Sequence, residues 1–213
     1  MAETKYLIAV PTMDTMPTAF AAALIGLRRV GLSKVAFMSN SLVYDARNKL
    51  AKEAIETGVD RVLWLDSDMA FRPDLMERMA ADMDEGCDFV GGIFFTRRFP
   101  MVPCVYKEIK IDKHGKGCVT PFAQYPKDKL FKVDGTGFGA VMTSTKLIKA
   151  VGEKYGGPFF PIPGVFGEDI SFCWRAAQLG YDLYCDSRIK VGHIGQFQYG
   201  EDQWIAQEQL RNE

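Results

Sequence analysis

Two carboxylates separated by one small residue come directly after a short apolar run. The run covers residues 62–65, and Asp66, Ser67 and Asp68 follow it. A continuous apolar run of this kind predicts a strand that is buried on both faces. Ligands of open parallel sheets bind at the carboxyl ends of such strands. We therefore predict that Asp66 and Asp68 hold Mg²⁺ or Mn²⁺, beside a Ser67 small enough to admit a diphosphate.

A second pair of acids and a histidine add to this chemistry. Glu168 and Asp169 open a predicted helix over residues 168–179. One of them is a candidate general base, because an acceptor hydroxyl must lose its proton as it attacks. His193 is one of only two histidines and lies between glycines. Because imidazole suits Mn²⁺ and its neighbours, His193 is a candidate third metal ligand.

Further positions are candidate contacts for a nucleotide donor. Pro11, Thr12 and Asp14 follow the first predicted strand and belong to the same sheet edge. Arg47 lies near the start of a predicted helix, where a cation opposes the helix dipole unless a diphosphate or Asp66 compensates it. Gly137 is the middle one of three glycines in five residues, a pattern typical of backbone that turns tightly or lies against a ligand.

Each of these positions also has a purely structural interpretation. The Asp-Ser-Asp segment, Thr12 and Asp14 are then turn or capping residues. Arg47 is then a solvated surface charge. The two acids at 168 and 169 are then favoured simply by the helix dipole.

The remaining pattern predicts the elements that position these residues. Strand-like runs alternate with helical periodicity, which predicts one α/β domain with a mostly parallel sheet flanked by helices. Strands are predicted over 6–10, 34–38, 61–65, 88–95, 131–142 and 181–185, and helices over 17–29, 43–57, 73–85, 145–151, 168–179 and within 197–213. Residues 100–130 carry prolines and a glycine-containing turn, which predicts a β-hairpin excursion. Arg97 and Arg98 follow the strand at 88–95 as phosphate contacts or surface charges, and the surface interpretation is preferred.

Composition narrows the class of protein. The 213 residues are 47% apolar and 25% charged, as in ordinary globular domains. A net charge of -1 gives no electrostatic case for a nucleic-acid or membrane partner. The five cysteines form no close Cys-x-x-Cys pair, which argues against a disulfide framework or a zinc site. No signal peptide or membrane-spanning run is recognisable, so we expect a soluble, cytoplasmic protein.

The order of the motifs resembles that of GT-A fold glycosyltransferases. The resemblance covers residues 6 to about 195 and is strongest with the small, stand-alone members found in bacteria and their phages. Its most specific parts are Leu-Asp-Ser-Asp-Met at 65–69 and Gly-Glu-Asp-Ile-Ser-Phe at 167–172. The fold class implied is a single GT-A, Rossmann-like domain. It divides into a nucleotide-sugar half (1–95), the hairpin excursion (96–130), an acceptor and catalytic half (131–195) and a tail (196–213).

The resemblance also implies roles for the candidate residues. Asp66 and Asp68 match the Asp-x-Asp motif that holds Mn²⁺ or Mg²⁺ on the diphosphate of a UDP- or GDP-sugar, and His193 matches the histidine that completes the metal site. Asp169 falls where inverting members carry the base, with Glu168 beside it for acceptor binding or capping. Retaining members share the fold and motif, so the stereochemical outcome stays open. A phage-encoded chain would act in the host cytoplasm.

Two other classes of protein remain possible from the sequence. A sugar-phosphate nucleotidyltransferase needs a glycine-rich basic loop after the first strand, whereas residues 11–15 contain no glycine. A non-catalytic sugar- or nucleotide-binding module would be expected to lose the base or the metal ligands, which are present here. The acceptor is not determined by the sequence, and the near-neutral charge gives a nucleic-acid acceptor no support.

Overall fold

The apolar runs of the sequence form the strands of one large sheet with helices on both faces. A computed structural model describes residues 3–195 and 200–211. The strands are β1 (Lys5–Pro11), β2 (Leu32–Met38), β3 (Arg61–Leu65), β4 (Met69–Ala70), β5 (Phe89–Ile93), β6 (Val105–Ile111), β7 (Gly117–Pro121), β8 (Leu130–Val133), β9 (Gly135–Thr136), β10 (Ala140–Ser144), β11 (Leu183–Lys190) and β12 (Gly192–His193). The helices are α1 (Thr18–Gly26), α2 (Val43–Glu56), α3 (Leu75–Asp84), α4 (Thr145–Tyr155), α5 (Glu168–Gln178) and α6 (Glu201–Arg211).

The central sheet has seven strands in the order β2-β1-β3-β10-β5-β11-β8 over the described ranges. Strands β2, β1, β3, β5 and β11 point the same way, while β10 and β8 are antiparallel to their neighbours. The carboxyl ends of β1, β3 and β5 therefore meet at one edge of the sheet. The mixed α/β class and the mostly parallel sheet that the sequence predicts are confirmed.

The core lies on both faces of this sheet. Val62 and Trp64 of β3 belong to the apolar cluster shared with α2, α4 and α5. Leu63 and Leu65 belong to the opposite cluster, which contains α1 and α3 residues. All four side chains are fully buried, so β3 is apolar on both faces, as its continuous run predicts.

The hairpin excursion is also present. Strands β6 and β7 pair antiparallel, and β9 joins the other side of β6 to make a small three-stranded sheet. The largest differences from the predicted boundaries occur at four places. Helix α1 ends at Gly26 and not near 29, the 131–142 segment splits into β8, β9 and β10, α4 continues to Tyr155, and β11 continues to Lys190.

The tail forms the predicted terminal helix, α6. The start of the predicted loop, at Phe197, lies outside the described residues. Trp204 of α6 is buried and stacks on Phe95, with ring centroids 5.4 Å apart. Helix α6 therefore docks against the segment that follows β5. Over the described ranges, none of the helices combines the length and the apolarity that crossing a membrane requires.

Candidate donor and acceptor site

A cleft of about 440 Å³ opens at the carboxyl ends of β1 and β3. Its walls come from the loop after β1, the start of α2, the turn after β3, the loop after β5 and strand β12. The lining residues are Pro11, Thr12, Met13, Ser41, Val43, Ala46, Asp66, Ser67, Asp68, Arg97 and His193. The cleft lies where ligands of open α/β sheets bind.

Local hydrogen bonds fix the Asp-Ser-Asp turn at the floor of the cleft. The Asp66 amide donates to the Gly139 carbonyl at 3.0 Å, and the Met69 amide donates back to the Asp66 carbonyl at 3.2 Å. Met69 then pairs with His193 in the short β4–β12 ladder. The Ile194 amide donates to the Asp68 carbonyl at 2.7 Å. This pairing explains why Asp68 and His193, which are far apart in sequence, lie on the same wall of the cleft.

Asp68 and His193 face each other with geometry suited to a cation. His193 Nδ1 lies 2.8 Å from the Phe95 carbonyl oxygen, and its Nε2 lies 3.5 Å from Asp68 Oδ2. Because a carbonyl only accepts, the neutral ring carries its proton on Nδ1 and turns a lone pair at Nε2 toward Asp68. Asp68 Oδ1 is buried and has no hydrogen-bond partner among the described residues. Neighbouring ligands of a Mg²⁺-sized ion lie about 3 Å apart, so this pair fits two of its positions.

Arg47 occupies the floor of the site as a buried cation. Its side chain is 2% exposed, with Nη2 2.8 Å from Asp66 Oδ1 and Nε 3.7 Å from Glu168 Oε1. The guanidinium carbon lies 5.3 Å from the ring centroid of Phe138. The interpretation of Arg47 as a solvated surface charge is therefore wrong. The sequence predicts that either a diphosphate or Asp66 compensates the unfavourable position of Arg47 near the start of α2, and in the structure Asp66 is the anion in contact with it.

Glu168 and Asp169, at the start of α5, interact electrostatically with Arg47 and Asp66. Asp169 lies beside Gly137: its Oδ2 is 3.5 Å from the position that a Cβ atom would take if residue 137 carried one. Desolvation, helped by the charge of Glu168, raises the pKa of Asp169 to about 6, against the Ile170 amide and Arg47. A carboxylate with a pKa near the working pH is well suited to act as a general base.

The pKa values of Asp66 and Asp68 are shifted in opposite directions by their surroundings. Desolvation raises the pKa of Asp66, and Arg47 opposes this effect while Asp68 and Glu168 add to it. Desolvation also acts to raise the pKa of Asp68, but His193, which in its protonated form donates to this carboxylate and attracts it, outweighs desolvation together with Arg97 and lowers that pKa. Asp68 is therefore the carboxylate that stays ionised most readily.

Several buried polar atoms of the cleft have no partner in the described part of the chain. They include Thr12 Oγ1, Ser41 Oγ and Asp68 Oδ1, all from residues that line the cleft. Buried polar groups in native proteins are nearly always hydrogen-bonded. These three atoms are therefore hydrogen-bonding positions that ordered water or a polar ligand in the cleft would satisfy.

The structure brings most predicted site residues together. Six of the predicted residues line the cleft: Pro11, Thr12, Asp66, Ser67, Asp68 and His193. Arg47, Glu168 and Asp169 lie outside this lining and are linked to it through the ion pair of Arg47 with Asp66 and through their charges. Asp14 is exposed and outside the lining, and Gly137 is buried beside Asp169 and not beside the cleft opening. The sequence interpretation missed Ser41 and preferred a surface role for Arg97. Arg97 lines the cleft with Nη1 2.9 Å from Asp68 Oδ2, and its position directly after a predicted strand was the available signal.

A complete protein-only metal site is not formed. Across residues 3–195 and 200–211, no three His, Cys, Asp or Glu side chains converge as ligands of one ion. One oxygen of Asp66 is committed to Arg47. Asp68 and His193 alone still fit Mg²⁺ or Mn²⁺, because such ions commonly take one or two protein ligands and complete their shell with water and substrate phosphates.

Comparisons with solved structures identify the fold. The chain is similar to A197 from STIV, with a TM-score of 0.62 and 18% identity over 92% of this chain and 86% of that one. It is also similar to GalNAc-T7, solved with UDP, GalNAc and Mn²⁺, with a TM-score of 0.63 and 12% identity. That match covers 91% of this chain and 44% of GalNAc-T7, so this chain spans less than half of its length. No protein-family model and no curated protein matches the sequence. The fold is GT-A, as the order of the motifs predicted.

Proposed function

We propose that the protein transfers a sugar from a UDP- or GDP-sugar to the hydroxyl of an acceptor. The observation that carries this proposal is the single cleft onto which the Asp66–Asp68 turn, His193 and three orphaned buried polar atoms converge. A nucleotide sugar supplies the hydroxyls and phosphate oxygens that such atoms require. The GT-A fold supports the same reaction class, and the Mn²⁺ and UDP of the GalNAc-T7 structure support a metal-assisted donor.

The donor is proposed to bind in the half formed by residues 1–95. Pro11 and Thr12 line the cleft beside the end of β1, where the nucleoside would lie, and Asp14 would contribute little because it is exposed outside the lining. Ser67 is small and lines the floor, which leaves space for the diphosphate. Arg47 holds Asp66 in place from below and keeps a positive charge beneath the phosphates.

Asp68 and His193 are proposed to hold the divalent cation, Mn²⁺ or Mg²⁺, with Asp66 as a further predicted ligand. When bound there, the cation would offset the negative charge that develops on the departing diphosphate. The protein contributes the orientation of its ligands. The Phe95 carbonyl fixes the His193 ring, and the Ile194 amide fixes the backbone of Asp68.

The acceptor half is proposed to be residues 131–195, with Asp169 as the base. Asp169 takes the proton of the acceptor hydroxyl, and the acceptor oxygen forms a bond to the anomeric carbon of the donor. The bond from that carbon to the diphosphate breaks, and the nucleoside diphosphate leaves with the electron pair. Direct displacement inverts the anomeric centre. Glu168 lies beside Asp169 and is tied to Arg47, so it positions the start of α5.

Release of nucleoside diphosphate tests this proposal. A panel of UDP- and GDP-sugars is incubated with the protein, Mn²⁺ and candidate hydroxyl acceptors, and free UDP or GDP is measured. We expect release from one nucleotide class, and its loss in Asp68→Asn. Asp82→Asn, a buried acid on α3 that does not line the cleft, is the matched control and is expected to retain activity. The absence of release from every donor, with acceptors varied, would contradict the proposal.

A further inference from the structure

Arg97 stands where a bound cation would compete with it for Asp68 and where a bound diphosphate would attract its positive charge. Its Nη1 lies 2.9 Å from Asp68 Oδ2, the same oxygen that His193 Nε2 approaches to 3.5 Å. A cation held by Asp68 and His193 would need this oxygen. The Arg97 contact and a metal contact at Asp68 therefore exclude each other in part.

The backbone that carries Arg97 is held by hydrogen bonds, whereas its partly exposed side chain is held, within the described ranges, only through Nη1, which contacts Asp68 and donates to the Ile194 carbonyl at 3.1 Å. The Thr96 amide donates to the Val102 carbonyl at 3.0 Å, and the Val102 amide donates to Thr96 Oγ1 at 3.1 Å. Gln207 of α6 clamps Met101 by accepting from its amide and donating to its carbonyl at 3.0 Å. The Arg97 side chain is 45% exposed. Only the side chain has to move for Arg97 to leave Asp68.

The energetics favour an exchange at this position. An ion pair between side chains that reach solvent stabilises a protein little, so the Arg97–Asp68 pair is easily replaced. Arg47 contrasts with it, because that guanidinium is buried beside the carboxylates of Asp66 and Glu168. A guanidinium matches phosphate oxygens in fork geometry, and charge-assisted bonds of this type are the strong ones. Arg97 already lines the cleft where the diphosphate is proposed to bind.

We propose that Arg97 alternates between two partners, pairing with Asp68 when the cleft is empty and with the diphosphate of the donor when Asp68 and His193 bind a divalent cation. This inference rests on the proposed function. It makes Arg97 a residue that touches the leaving group. It also gives the empty site an internal cation that limits metal binding before the donor arrives.

Two affinities with opposite expected signs test the exchange. The first is Mn²⁺ alone, followed by the electron paramagnetic resonance signal of the free ion. Arg97→Ala is expected to bind Mn²⁺ about threefold to tenfold more tightly than wild type, because the competing cation is gone. The second is UDP and GDP at saturating Mn²⁺, followed by calorimetry. Arg97→Ala is expected to bind the preferred diphosphate about tenfold or more weakly, with UMP and GMP affected little.

Matched variants separate this exchange from general damage. Arg98→Ala removes the adjacent exposed arginine, which makes no ion pair within the described residues, and is expected to match wild type in both titrations. Arg97→Lys keeps the charge without the fork and is expected to lie between wild type and Arg97→Ala. A variant that had only lost structure would bind both ligands more weakly, and thermal melting of each variant checks the fold directly.

The outcomes distinguish the two proposals. Wild type that binds neither UDP nor GDP with Mn²⁺ overturns the proposed function, and the exchange with it. If wild type binds a diphosphate but Arg97→Ala binds Mn²⁺ as tightly as wild type or more weakly, the exchange alone is overturned. Equal loss of diphosphate affinity in Arg97→Ala and Arg98→Ala overturns it as well.

Discussion

Two clusters of carboxylates around an arginine occur in this fold, and they are oriented in opposite ways. In the cleft, the Arg47 side chain is 2% exposed while its partners Asp66 and Glu168 are 29% and 18% exposed. Behind the sheet, Arg188 is 45% exposed while its partners Asp82 and Asp186 are 4% and 1% exposed. One cluster buries the cation and leaves its acids partly exposed, with Asp66 in the lining of the cleft. The other buries the acids and covers them with the cation.

This difference in exposure distinguishes a candidate functional site from a cluster that only connects two secondary-structure elements. The rear cluster ties α3 to β11 through Arg188, with N–O distances of 3.0 Å to Asp82 and 2.9 Å to Asp186. Burial, followed by the charge of Asp186 and a hydrogen bond with it, raises the pKa of Asp82 to about 7. In the cleft, Arg47 stabilises acids that remain accessible to a ligand. Buried ion pairs are weak evidence for stability, so accessibility and not pairing marks the candidate functional cluster.

The largest effect is expected from replacing the proposed base, Asp169. Asp169→Asn is expected to lower kcat by about 10²–10⁴-fold, because proton removal in the transition state contributes that much, with donor affinity nearly unchanged. Steady-state rates and calorimetry on the same preparation check both parts. For wild type, kcat/KM is expected to fall as the pH drops through about 6, where Asp169 takes up a proton. Full activity of Asp169→Asn would rule out its role as base.

The next effect is on stability. Arg47→Met is expected to lower the free energy of unfolding by about 2–3 kcal/mol, near the low end for a broken buried pair, because Asp66 and Glu168 retain some access to water. Urea denaturation measures this directly. Arg188→Met is the matched variant behind the sheet. A smaller loss in Arg47→Met than in Lys34→Met, which breaks an exposed pair with Glu53, would contradict the structural account.

A pH dependence is expected from the rear cluster. The pKa of Asp82 is about 7 in the folded protein and about 4 in an unfolded chain, so the folded state holds the extra proton between these values. Stability is therefore higher in mild acid and is expected to fall by about 2 kcal/mol as the pH rises from 5 to 8. Denaturation of wild type and Asp82→Asn across this range isolates the group. Parallel curves for the two proteins would show that Asp82 does not titrate in this way.

The smallest effects concern the loop after β1. Thr12→Val is expected to weaken nucleoside diphosphate binding about fivefold, because Thr12 Oγ1 is buried in the cleft lining without a partner. Asp14→Ala is expected to leave this affinity unchanged, since Asp14 is exposed outside the lining. Calorimetric titration of both variants compares the positions. A larger loss in Asp14→Ala than in Thr12→Val would reverse their assignment.

The sequence predicts the framework well where burial leaves a pattern. The continuous apolar run of β3 predicts a strand covered on both faces, and the helical periodicity of α2 predicts its buried face. Strand direction is different, because the apolar run of β10 reads the same in either orientation. Its antiparallel place between β3 and β5 follows from the connections around it.

The site was predictable in its acids and less so in its cations. Asp66 and Asp68 follow a recognisable strand, and His193 was a candidate because imidazole suits Mn²⁺, a role that the family resemblance also implies. The pairing of Met69 with His193 that joins them is a long-range contact with no local signal. Arg97 and Arg98 are adjacent and chemically identical, so only the path of the loop after β5 decides which one lines the cleft. Arg47 is buried because Asp66 and Glu168 meet it from distant segments.

Calorimetric titration of UDP and GDP, each with and without Mn²⁺, tests the central assignment most directly. Wild type, Asp68→Asn and the control Asp82→Asn are compared. We expect one diphosphate to bind wild type and Asp82→Asn only when Mn²⁺ is present, and to lose most of its affinity for Asp68→Asn. Metal-independent binding that Asp68→Asn leaves unchanged, or no binding of either diphosphate to wild type, would contradict the assignment of this cleft as a donor site.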